Sequence, residues 1–63
     1  MYDEIKEEVK DCIEDEKRDW HKYEEMAKEM RAAGHEHYAG ILEDIAHDEE
    51  MHMKYLKGMH ERM

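Results

Sequence analysis

Proline and phenylalanine are absent from this chain of 63 residues, and it has only three glycines, one tryptophan and one cysteine. Without proline, nothing in the sequence interrupts long helices, and the scarcity of glycine leaves few places for turns. A single cysteine, Cys12, excludes a disulfide within the chain; it is compatible with a reducing compartment. No apolar run approaches the roughly 18 residues of a membrane span, and no membrane partner is expected. The acidic start Met1-Tyr2-Asp3-Glu4 lacks the basic stretch of a signal peptide, so the expected location is cytoplasmic. Acidic residues outnumber basic ones, 19 to 10. A net charge of −9 argues against nucleic acid or anionic lipid as partners and favours the attraction of cations.

What is present points to helix. Charged residues make up 46% of the chain, with Glu, Lys, Met and Ala prominent, all of them good helix formers. Disorder is the competing reading of such a composition, but the apolar residues recur with a regular period that a disordered acidic chain would lack. A chain below about 70 residues seldom buries enough apolar surface to hold itself together. Metal, self-association, or both must help.

In heptads, the first half places Tyr2, Val9, Glu16, Tyr23 and Met30 at one seam position and Ile5, Cys12, Asp19, Met26 and Ala33 at the other. Ile13, Trp20 and Ala27 widen that stripe. Asp3 is the expected N-cap and Gly34 the expected C′ residue, bounding a helix over about residues 3–33. A second helix is expected over about 35–62, with Tyr38, Ile45, His52 and Met59 at one position, and Leu42, Glu49, Leu56 and Met63 at the other. Ile41, Asp48 and Tyr55 flank it. Glu14 with Arg18, Glu24 with Lys28, and Glu50 with Lys54 read as solvated surface pairs, as does Glu43 with His47. The expected fold is therefore all-α: one domain, an antiparallel helical hairpin with no third helix over its apolar stripe. Two copies about a two-fold axis would close a four-helix bundle, so a homodimer is the minimal assembly, with larger ones left open.

Three charged or polar residues interrupt the apolar seams. Glu49 and His52 are three apart and project from one helical face, and Glu16 lies at roughly the same height on the other helix. Such groups are costly to bury unless they are paired, hydrogen-bonded or bound to metal. Two-fold doubling yields four carboxylates and two histidines, the ligand set of di-iron and di-manganese carboxylate bundles. Two divalent ions would cancel the four glutamate charges. Iron and manganese suit these ligands, and zinc or cobalt compete. The bland alternative is a buried ion-pair network that fixes helix register.

The stretch Glu16-Lys17-Arg18-Asp19-Trp20-His21-Lys22-Tyr23, followed by Ala27, Gly34 and Ile45-Ala46-His47-Asp48-Glu49-Glu50-Met51-His52, resembles the first helix pair of the rubrerythrins, members of the ferritin-like superfamily. Six residues separate the glutamate from the tyrosine, and fourteen separate the glycine from the Glu-x-x-His pair. The likeness spans about residues 12–60. It implies a di-iron centre, two ions per dimer, with Glu16 and Glu49 as terminal or bridging ligands and His52 as a terminal ligand. Tyr23 would donate a hydrogen bond beside the centre as its catalytic helper. Asp19 stands at the offset of an extra family carboxylate, though its side chain is shorter. The reactions implied are oxidation of ferrous iron and reduction of O2 or hydrogen peroxide.

Two departures stand out. Rubrerythrins hold both helix pairs in one chain and commonly add a rubredoxin domain with paired cysteines. Here one pair and one cysteine are present, so the electron donor is expected to be a separate molecule. Encapsulated ferritins are a weaker likeness, through the spacing of Glu14 and Trp20. Two further readings stay open: an iron-handling module without turnover, and a purely structural helical dimerisation module. Asp48 either orients the His52 imidazole or is solvated. Cys12, one turn before Glu16, reads as inert core, and the seven methionines read as adaptable packing.

Overall fold

The computed structural model describes residues 1–63. Two helices, α1 (Tyr2–Ala32) and α2 (Glu36–Arg62), run antiparallel and form a rod of 49 × 13 × 12 Å. The helical hairpin expected from the hydrophobic period is present. No helix is long and apolar enough to cross a membrane.

The turn is closed by backbone geometry. Gly34 adopts a φ of +85°, the left-handed conformation that side chains disfavour. It allows the Gly34 N–H to donate to the Arg31 carbonyl (3.0 Å) and the His35 N–H to the Met30 carbonyl (2.8 Å). This pair of bonds is a Schellman motif with glycine at C′, as the sequence suggests. Arg31 then reaches across the turn to Glu36 (2.9 Å) and Glu43, tying the start of α2 to the end of α1. Those two carboxylates hold the already basic guanidinium above its ordinary pKa, the hydrogen bond that Arg31 donates to Glu43 being the larger cause. At the far end the Tyr2 hydroxyl donates to the Met63 carbonyl at 3.0 Å.

The start of α1 differs from expectation. Met1, not Asp3, occupies the N-cap, and no side chain caps the helix. Asp3 and Glu4 lie inside the first turn instead, where their charges favour the exposed N–H groups through the helix dipole. Surface pairing differs too. Arg18 pairs with Asp15 and Lys28 with Glu25, and Arg31 takes Glu43 where His47 was expected to. Only Lys54 with Glu50, at 3.5 Å, matches.

The larger correction concerns which stripe is buried. Between the helices lie Val9, Ile13, Glu16, Trp20, Tyr23 and Ala27 of α1, each three or four residues from the last, with Ala39, Leu42, Ala46, Glu49, Met53 and Leu56 of α2. The row Ile5, Cys12, Asp19 and Met26 lies at the edge of this seam, its first two residues exposed and its last two half-buried, and so does the row Tyr38, Ile45, His52 and Met59, of which only Ile45 is half-buried. Ile5 remains 47% exposed, Met59 44%, and Cys12 is exposed instead of core. The cause is physical. Each helix carries an apolar stripe wider than one neighbour can cover, and the row through Ile13, Trp20 and Ala27 is uncharged at mid-helix, its one charge being Lys6 near the start of α1, whereas the other row carries Asp19 at mid-height. On α2 the alanines at 39 and 46 admit close approach better than Tyr38 and Ile45 do. By helical periodicity the two edge rows face the same side of the hairpin, leaving it with an open, largely apolar face.

Candidate metal centre

The register places the polar residues. From Tyr2 opposite Met63, fourteen residues inward along each helix lead to Glu16 and Glu49. Both side chains belong to the buried seam, at mid-height of the rod. His52 stands one turn beyond Glu49 and belongs to the open row, so the cluster straddles seam and open face.

One ligand atom from each of Glu16, Glu49 and His52 lies within 4.8 Å of the others. The Nδ1 atom of His52 is 3.6 Å from Glu16 Oε2, too long for a hydrogen bond. The Glu16 side chain is 27% exposed and that of His52 56%. Glu16 Oε2 itself is buried without any hydrogen-bond partner. An unsatisfied buried acceptor costs about 1–3 kcal/mol, and more when charged, so the position calls for a positively charged partner. Glu49 shows the same stress. A proton shared with the Glu16 carboxyl raises its pKa above the ordinary 4.5, with desolvation and repulsion from Glu16 adding to the effect. The neighbouring His52 acts in the opposite direction, and Asp19 contributes a smaller repulsion.

Asp19 is half-buried on the open row and lies outside the three-donor cluster, although its charge is felt at Glu49. The short side chain and the rotation of its row account for that. Tyr23 is half-buried in the seam, seven residues from Glu16 toward the turn. Asp48 is exposed. Trp20, one turn from Glu16 in the same seam, stacks on His21 with ring centres 4.5 Å apart and packs against the core of Val9, Ile13 and Met53.

The donor set fits a divalent cation with oxygen and nitrogen ligands. Such ligands lie about 2.0–2.2 Å from the metal. A cation among the three donors would give the orphaned Glu16 oxygen a partner. One hairpin supplies three protein donors, fewer than the four to six that such ions take. The missed element was the rotation of the seam, which the three-and-four spacing of Ala39, Leu42, Ala46, Glu49 and Met53 would have signalled.

No family model, curated protein or solved structure matches this chain.

Proposed function

We propose that two hairpins pair through their open faces into a ferritin-like four-helix bundle of rubrerythrin type, with a di-iron centre held by Glu16, Glu49 and His52 of both chains. The observation that carries this reading is the buried, unpartnered Glu16 Oε2 facing His52 Nδ1 beside a second carboxyl that resists ionisation. Doubling the cluster completes a ligand sphere that one chain leaves short. Ferrous iron held by these residues would supply the electrons for reduction of O2 or hydrogen peroxide, being oxidised to the ferric state, the chemistry of a ferroxidase or peroxidase.

The chain's own groups have distinct parts in this scheme. Glu16 and Glu49 hold the cations and balance their charge, while His52 binds through Nδ1 and leaves Nε2 free for an acceptor such as Asp48. Ile13, Trp20, Ala46 and Met53 keep water from the seam side. Tyr23 donates a hydrogen bond toward the centre, and Asp19 sits at its mouth on the open face. Electrons arrive from an external donor, since one cysteine cannot build a paired-cysteine redox site. Manganese or zinc fits the same donors.

Metal analysis of protein loaded without oxygen tests the proposal. The expected result is two ions per dimer, lost on Glu49→Ala, with iron oxidation by peroxide faster in stopped flow than for iron in buffer. Bound iron that reacts no faster than free iron makes the protein an iron-handling module instead. Failure to bind metal rejects both.

A further inference from the structure

We infer that divalent cations switch the pairing of two hairpins: the metal-free chains are held apart by their own carboxylates, and cation binding at Glu16, Glu49 and His52 draws a second copy onto the open face. This inference rests on the shared centre proposed above and adds to it a control of assembly.

The surface argues for a second copy as the occupant of that face. A compact monomer of 7.7 kDa exposes about 4,300 Å². The hairpin exposes 4930 Å² and buries only six residues, all of them between the two helices. The excess is of the order that one partner contributes to a standard interface, about 800 Å². The apolar residues of the open face form two patches. Ile5 and Met59 lie toward the termini, and Tyr38 and Ile41, beside the half-buried Met26, toward the turn.

Between those patches, at mid-height, runs a polar belt of Asp19 and His52, with Glu16 and Glu49 directly behind. Because the belt is central, a copy laid on the face by a two-fold axis meets it with its own belt, whichever end its turn points to. Three carboxylates per chain then become six in the pair. Like charges brought together across an interface oppose association. Two divalent cations cancel four of the six charges and use the donors of both chains. Cation binding and pairing therefore strengthen each other by the same factor.

Sedimentation equilibrium on the full chain tests the switch, first stripped with EDTA and then with Mn(II) or Zn(II) alone. The expected result is a dimer about 100-fold tighter with cation, near the upper end of ordinary coupling, saturating at one ion per chain. The double variant Glu16→Gln with Glu49→Gln keeps the shape of the cluster and removes its charge; circular dichroism verifies its helices. It is expected to pair more tightly than the native chain in EDTA and to ignore cations. A native dimer equally tight with and without cation, yet holding two ions, overturns the switch and leaves the shared centre standing. Absence of bound cation under all conditions overturns the centre itself, and a monomer that binds cation without pairing overturns both. A double variant that stays monomeric in EDTA overturns the repulsion.

Discussion

Glu16 Oε2 faces His52 Nδ1 across 3.6 Å, buried and without a hydrogen bond, so a residue of the seam is joined to one of the open face by an unmet need for positive charge. The hairpin tolerates this arrangement at the centre of its longest continuous packing surface. Burying an unsatisfied carboxylate there is unfavourable for a chain with so small a core. Its retention is better explained by a ligand than by folding.

Glu16→Leu separates those roles. In EDTA the variant is expected to be more stable than the native hairpin, by about 1 kcal/mol or more, because apolar volume replaces a charge with no partner. With Mn(II) the order reverses, since only the native chain gains stability from the ion. Thermal unfolding with and without metal measures both. A variant less stable than the native protein in EDTA would show that Glu16 stabilises the fold by itself.

The raised pKa of Glu49 makes the metal-free protein sensitive to pH. For a carboxyl whose folded value lies above its unfolded value, the folded state binds the proton more tightly. Its contribution to stability is complete below the ordinary value of 4.5 and fades as pH rises through the raised folded value. Denaturation in EDTA should therefore show native stability falling relative to Glu49→Gln as pH rises above 4.5 through the raised folded value. Parallel curves for the two proteins would mean that Glu49 titrates as it does in the unfolded chain.

Gly34→Ala examines the turn. The glycine has a φ of +85°, and a Cβ there would meet no atom within 4 Å. The cost is then confined to the backbone, about 1–2 kcal/mol. For a domain of this size each kcal/mol lowers Tm by about 4–8 °C. Calorimetry in EDTA reads that shift directly. An unchanged Tm would indicate that the turn relaxes out of the left-handed conformation at no cost.

Much of the hairpin could be read from the chain before its structure. Gly34 marked the turn because no other residue fits its conformation as cheaply, and the apolar period marked two helices without a break at Gly40 or Gly58. Glu16, Glu49 and His52 stood out because charge within an apolar stripe is rare, and the structure brings them together. The rotation of the stripe was harder to read. Val9, Glu16 and Tyr23 belong equally to a seam completed by Ile13 and Trp20 and to one completed by Ile5 and Cys12. Periodicity alone does not choose between them. The choice depends on alanines at 39 and 46, which carry little hydrophobic signal yet set how closely the helices approach. Cys12 and Asp3 were misplaced for different reasons: one sits on the edge row, and the other is a good N-cap residue two positions past the observed cap.

Ile41 tests the open face, because its side chain is 46% exposed and contributes little to the hairpin. Ile41→Lys should keep native helicity by circular dichroism and the native unfolding midpoint in EDTA at low protein concentration. In Mn(II) its dimer is expected to dissociate about tenfold more readily, the equivalent of about 1.4 kcal/mol lost from the interface. Ala46→Lys is the contrasting control. Ala46 is 3% exposed between the helices, and a lysine there has no room, so that variant should lose helix at every protein concentration. If Ile41→Lys behaved like Ala46→Lys, the two faces would not be separable. If it paired as tightly as the native chain, the second copy would have to sit elsewhere, and the three donors of one hairpin would face solvent instead of their symmetry mates.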